Sequence, residues 1–224
     1  MIKLLHGDSL DLLKTIETGS VDAVITDPPY MISTRSTGKG KLGLWADYCN
    51  ASYWYAAWMQ EAKRILKPTG CIWSFLNWRS FATFQKAACD SDLQIDSMLV
   101  WDKAWIGPGG HKSLRPCYEL VALFGMEDFK IEDRTLRDIQ TFKWSAVKPH
   151  GHPAEKPVAL IEWLVEISTP RGGTVVDPFM GSGTTGEACL HKGRDFIGME
   201  LDSKFYDIAS KRIQEAQEEL LNDF

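Results

Sequence analysis

The sequence predicts an α/β fold in one domain, and three observations predict it. Strand-like apolar runs alternate with helix-like periodic stretches along the whole chain, no internal repeat or low-complexity linker interrupts them, and 224 residues at 44% hydrophobic content can bury one full core. In chain order the pattern gives a strand over Ile2 to Leu5, a helix from Ser9 to Ile16 and a strand over Val21 to Thr26. A helix from Ala51 to Leu66, a strand over Cys71 to Leu76 and a helix from Arg79 to Ala88 follow. Two strands come next, Gln94 to Val100 and Glu119 to Phe124, then a helix from Pro157 to Ser168 with proline in its first turn. The last third reads strand Thr174 to Val176, helix Thr184 to His191, strand Phe196 to Met199 and helix Ser203 to Leu221. That makes seven strands.

Charge and composition exclude several classes. A formal net charge of −5 argues against a protein that coats nucleic acid electrostatically, while leaving room for a local basic face. Five cysteines with no C-x-x-C pair favour neither a disulfide framework nor zinc, which suits a reducing cytoplasm. No apolar stretch is long enough to span a bilayer, and Lys3, His6 and Asp8 stand where a signal peptide would be apolar. The expectation is a cytoplasmic protein without a membrane partner.

Two motifs carry chemistry. Asp27-Pro28-Pro29-Tyr30 closes the apolar run Val21 to Thr26. The Asp27 carboxylate and the Pro28 carbonyl can each accept one N–H of an exocyclic base amine, drawing its nitrogen towards tetrahedral geometry. Two prolines fix their own φ and extend the residue before them, and Tyr30 offers a ring on which a flipped base can stack. An ordinary strand-to-loop exit would use the same residue types. The second motif, Asp177-Pro178-Phe179-Met180-Gly181-Ser182-Gly183-Thr184-Thr185-Gly186, lies between a strand and a helix, where glycines permit close backbone approach to a ligand. It lacks the Gly-Lys-Ser/Thr of a triphosphate loop. Glu200 ends the next strand, placed to hold ribose hydroxyls, so the unit reads as an adenosine-cofactor site.

Together the motifs resemble the amino-methyltransferases that use S-adenosylmethionine to methylate DNA bases, over nearly the whole chain. The catalytic motif comes first and the cofactor loop last, an order similar to the circularly permuted beta group of that family. Gly7-Asp8, Arg64 to Gly70, Trp101-Asp102-Lys103 and His152-Pro153-Ala154-Glu155-Lys156-Pro157 also match. The resemblance implies a Rossmann-like seven-stranded sheet with helices on both faces, in which the Glu200 strand and the Ile2 strand lie side by side.

It also implies roles. Asp177 would receive the methionyl amino group, Phe179, Gly181, Ser182, Gly183 and Thr184 would line the cofactor cleft, and Glu200 would hold the ribose. Asp8 would approach the adenine, although it could equally cap the helix at Ser9. Lys156 would meet the methionyl carboxylate, although it could equally be a solvated residue before a helix. Asp27, Pro28, Pro29 and Tyr30 would form the catalytic set.

The core is expected at 1–30, 51–101, 117–125 and 152–224, with DNA-facing loops at 31–50, 102–116 and 126–151. Arg35, Lys39 and Lys41 in the first loop, and Lys112 and Arg115 in the second, are the candidates for DNA contacts. The third is shorter than in larger relatives and mixes acids with bases, which leaves a homodimer open. Trp54 and Trp58 share a helix face, where core packing or a subunit contact outweighs base stacking. His150-Gly151-His152 has no further ligand at zinc spacing, so no metal is expected. The reading is an enzyme that methylates adenine N6 in double-stranded DNA. Cytosine N4 is the alternative within enzymes, and a catalytically inactive DNA-binding module is the alternative outside them. A cognate restriction nuclease is not inferable from the sequence.

Overall fold

The computed structural model describes residues 1–29, 48–108, 111–112, 114–145 and 155–222. Their strands form one eight-stranded sheet: β1 (Ile2–His6), β2 (Val21–Thr26), β3 (Leu66–Leu76), β4 (Ser97–Asp102), β5 (Tyr118–Gly125), β6 (Ile139–Thr141), β7 (Thr174–Asp177) and β8 (Asp195–Glu200). The spatial order is β1-β8-β7-β2-β3-β5-β4-β6. Neighbours from β1 to β3 run parallel, β5 runs antiparallel to both β3 and β4, and β6 is parallel to β4.

Because side chains alternate across a strand, each strand feeds two cores. Val24 of β2, Ile72 of β3 and Val176 of β7 join one cluster with α1 (Ser9–Leu12), α2 (Tyr48–Ile65) and α3 (Phe81–Asp90). Ala23, Ile25, Trp73 and Val175 point the other way, into a second cluster with α4 (Val158–Ser168), α5 (Thr184–Lys192) and α6 (Ser203–Asn222). All six residues of β2 are buried, as befits a central strand covered on both faces.

The expected seam between the first and last strands is present: Ile2 pairs with Phe196 and His6 with Glu200. Three expectations need correction. The sheet has eight strands, because Ile139–Thr141 adds along β4; three residues with an exposed-intermediate-exposed pattern carry too little periodicity to be read from sequence. β3 begins at Leu66 and not Cys71. Leu66 pairs with Val21 and Cys71 with Ala23, so the Lys67 to Gly70 stretch is a bulge inside the strand. The 126–151 segment is in part core, since Phe129, Ile131, Phe142 and Trp144 pack on the second cluster and the Trp101 Nε1 donates to the Phe142 carbonyl at 2.8 Å.

Candidate active site

β7 and β2 are neighbours, but β7 connects through α5 to β8 on one side and β2 connects through α2 to β3 on the other. A crevice opens beyond the strand ends wherever connections diverge in this way. A cavity of about 710 Å³ lies there, within the size range of cofactor sites. Its wall contains Asp8, Asp177, Phe179, Gly181, Ser182, Thr184 and Glu200 together with Asp27, Pro28, Pro29 and Lys156. The two motifs, 150 positions apart in sequence, thus share one cavity.

On the β7–β8 side the chain organises its own carboxylates. Asp177 is buried; Thr26 donates to its Oδ1 at 2.7 Å, Thr185 to its Oδ2 at 2.6 Å, and the Phe179 N–H to Oδ1 at 3.1 Å. Burial pushes the Asp177 carboxyl up to about 6, those three donors pull it back, and the Asp27 charge adds to the rise. Glu200 accepts from the Gly181 N–H at 3.0 Å with one oxygen and from the Asp202 N–H at 2.9 Å with the other. Asp8 caps α1, accepting from the Leu10 N–H at 2.9 Å, and also faces the cavity. Gly183 is the exception among the loop residues, since it is not part of the cavity wall. It is the N-cap of α5 at φ +81°, and a Cβ there would meet Ala209 of α6 at 3.0 Å.

On the β2 side the contacts come from far away in sequence. Lys156 donates to Asp27 Oδ2, lies 3.4 Å from Glu119 Oε2, and sits 4.8 Å above the Phe75 ring. Lys103 donates to the other oxygen of Glu119 at 2.5 Å. Burial alone would lower the Lys156 pKa, but the Asp27 and Glu119 charges outweigh it and hold the ammonium above its ordinary value. Burial likewise pushes Glu119 up, and the two lysines outweigh it and hold the carboxyl below its ordinary value. Asp27 Oδ1 is buried and has no hydrogen-bond partner among the described residues. An unsatisfied buried acceptor at the wall of a cavity marks the place of an incoming donor.

Three supporting residues were not anticipated. Tyr55 of α2, buried in the core, donates to the Pro29 carbonyl at 3.1 Å. Arg212 of α6 pairs with Glu187, with Glu155 at 3.1 Å and with the Thr184 hydroxyl at 2.8 Å, pinning the cofactor loop to the segment that carries Lys156. Its signal in the sequence is a charged residue beside Ala209, Ile213 and Ala216 on an apolar helix stripe. Glu119 is a charge at the head of the buried run Val121 to Phe124.

Trp58 is fully buried, with its ring 5.9 Å from Phe179, and Trp54 lies on the cavity wall 5.3 Å from the same ring. Lys112 is exposed. Arg115 is exposed too, but its guanidinium donates to the Gly107 carbonyl at 2.8 Å and the Ile106 carbonyl at 3.2 Å, closing the β4–β5 loop on itself. Tyr30, Arg35, Lys39, Lys41, His150 and His152 lie outside the described residues. Among the described residues no cluster of His, Cys, Asp or Glu has metal-binding geometry, Cys71, Cys89, Cys117 and Cys189 are free, and no helix is long and apolar enough to cross a membrane.

A chain with paired acceptors, an organised glycine loop and a shared cavity has clear relatives. Residues 21–211 match the DNA methylase family N6_N4_Mtase, and the chain belongs to that family. The type II methyltransferase M.HinfI of Haemophilus influenzae is 28% identical over 95% of this chain and 68% of its own. Among solved structures, the M1.HpyAVI complex with SAM is 24% identical with a TM-score of 0.74, covering 95% of this chain and 99% of that one. The cytosine-N4-specific PvuII DNA methyltransferase is 18% identical with a TM-score of 0.77, covering 99% and 93%.

Proposed function

We propose that this DNA methyltransferase transfers the methyl group of S-adenosylmethionine to adenine N6 in double-stranded DNA, with the base flipped into the cavity and residues 1–224 acting as one domain of the beta group. The observation that carries this reading is Asp27. One of its carboxylate oxygens is held by Lys156, while the other is buried at the cavity wall with no partner among the described residues. That oxygen accepts one N–H of the amine and the Pro28 carbonyl the other, so the nitrogen lone pair is aimed across the cavity. Tyr30 stacks on the base.

Bound S-adenosylmethionine supplies the electrophilic methyl group. Asp177 receives its amino group, Glu200 its ribose hydroxyls and Asp8 its adenine end. Phe179, Gly181, Ser182 and Thr184 line the cleft, and Lys156 faces the methionyl carboxylate from its place beside Asp27. The residues present suit such a molecule: carboxylates stand at the Asp177 and Glu200 strand ends, and Trp54 and Phe179 add apolar wall to the same cavity. Orientation and fixed charge supply most of the acceleration, because the amine becomes acidic only once it is methylated. Arg35, Lys39, Lys41, Lys112 and Arg115 are the phosphate-contact candidates, and a second copy of the chain is the partner that its short recognition insert calls for.

Adenine is preferred over cytosine N4 because relatives with Asp at the first motif position mostly act on adenine and those with Ser mostly on cytosine. Nucleoside digestion of DNA methylated by the protein, resolved by mass spectrometry, tests this: N6-methyladenine is expected. N4-methylcytosine in its place would overturn the base assignment and leave the cofactor site standing.

A further inference from the structure

The carboxylate that faces the base does not stand alone; it is the end of a row of alternating charges drawn from four elements of the fold. Lys103 follows β4, Glu119 belongs to β5, Lys156 precedes α4 and Asp27 follows β2. Lys103 donates to Glu119 Oε1 at 2.5 Å, Lys156 lies 3.4 Å from Glu119 Oε2, and Lys156 donates to Asp27 Oδ2. Side-chain exposures of 16% for Lys103, 21% for Glu119 and 9% for Lys156 place the row away from bulk solvent, where charges are weakly screened.

We propose that Glu119 is a positioning residue for methyl transfer: it draws the Lys156 ammonium onto one oxygen of Asp27, and so keeps the other oxygen open and negative for the target amine. The proposal rests on the methyl-transfer reading. Two consequences of the geometry support it. An ammonium between two carboxylates divides its donors between them, whereas one facing Asp27 alone would bridge both oxygens and occupy the acceptor that the amine needs. The charges also balance. Two lysines oppose two carboxylates, so the Asp27 end retains its negative character against an amine that gains positive charge as the methyl group arrives. Removing the charge of Glu119 leaves two lysines against Asp27, a surplus of one positive charge beside the developing cation. Asp177, which feels the Asp27 charge, sits on the β7 side with Thr26 and Thr185 as its own donors.

The test compares the wild type with Glu119→Gln, Glu119→Asp and the double variant Lys103→Met with Glu119→Gln, each checked by thermal melting. Single-turnover methyl transfer should fall about tenfold or more in Glu119→Gln. S-adenosylmethionine affinity should not fall by more than about twofold, since Lys156 keeps its charge for the methionyl carboxylate while Asp177 and Glu200 are untouched. The double variant, neutral again but without the carboxylate that draws Lys156 aside, should stay as slow as Glu119→Gln, because Lys156 then faces Asp27 alone. A wild-type rate in Glu119→Gln, or recovery of the wild-type rate in the double variant, would overturn the proposal. If Glu119→Gln does not fold, Glu119→Asp, which keeps the charge but withdraws it from Lys156, should be slower at unchanged cofactor affinity; a wild-type rate there is likewise contrary. The carboxyl carbon of Asp27, followed by NMR with labelled aspartate, should shift in Glu119→Gln while that of Asp177 does not. That signal decides the contact even if the wild type methylates no DNA, a result that would sink the methyl-transfer reading by itself.

Discussion

The two sides of the cavity hold their carboxylates by different means. On the β7–β8 side, Asp177 is fixed by Phe179 and Thr185, two and eight positions away, with Thr26 as its one distant donor, and Glu200 is fixed by Gly181 and Asp202. Those contacts come almost wholly from the loop's own backbone and hydroxyls. On the β2 side, Asp27 is held by Lys156, 129 positions away, which in turn leans on Glu119. One side is satisfied in itself, and the other holds a buried acceptor with no partner among the described residues. The difference teaches that the β7–β8 side is set by local chain geometry, whereas the β2 side is poised by long-range charge; on the proposed reading the first serves the cofactor and an incoming amine completes the second.

The comparison breaks most visibly at Asp27. Asp27→Asn keeps the size of the side chain and removes its charge, so methyl transfer should fall by about 10²–10⁴-fold. Single-turnover transfer of labelled methyl groups to DNA measures it, and a rate near wild type would mean that the amine is activated elsewhere.

The next effect belongs to the other side. Asp177→Ala and Glu200→Ala should each weaken cofactor binding by about 1.5–3 kcal/mol, the worth of a charged hydrogen bond. Calorimetry reads this directly; unchanged affinity in both variants would place the cofactor outside the β7–β8 cleft.

A pH series sharpens the same point. Burial raises the Asp177 pKa from 3.8 to about 6, so the free fold prefers the protonated form, and the group's contribution to stability is full below its unfolded value and lost as pH rises through about 6. Binding of a cationic amino group needs the ionised form and has the opposite sign. Cofactor affinity should therefore be level above pH 6 and fall about tenfold per unit below it. A flat profile between pH 5 and 7, at about constant protein stability, would detach the amino group from Asp177.

The smallest effect is expected at Tyr55. Tyr55→Phe removes the donor to the Pro29 carbonyl without emptying the core and should cost about 0.5–1.5 kcal/mol of stability in denaturant titration. A larger loss would show that the hydroxyl does more than hold Pro29.

What the sequence made legible follows the same division. The glycine loop and Glu200 after it lie within about two dozen residues of Asp177, just behind the strand that carries it, and announce themselves through local pattern, and the β1–β8 seam followed from motif order. The sheet's eighth strand did not, because β6 has no period of its own and exists only by pairing with β4. Nor did the row behind Asp27: in sequence Lys103 and Glu119 look like ordinary solvated charges and Lys156 like a partner of the cofactor carboxylate, until β5 folds between β3 and β4 and brings the three together. Arg115 is a basic residue on an exposed loop that turns two of its guanidinium nitrogens to that loop's own carbonyls, a use its sequence neighbours do not announce.

The separation of the two sides is tested most directly by titrating S-adenosylmethionine into Asp27→Asn in a calorimeter. If Asp27 serves the base and the β7–β8 side serves the cofactor, the affinity should remain within about twofold of the wild type although methyl transfer has collapsed. Loss of cofactor binding in the folded variant would contradict that division of labour.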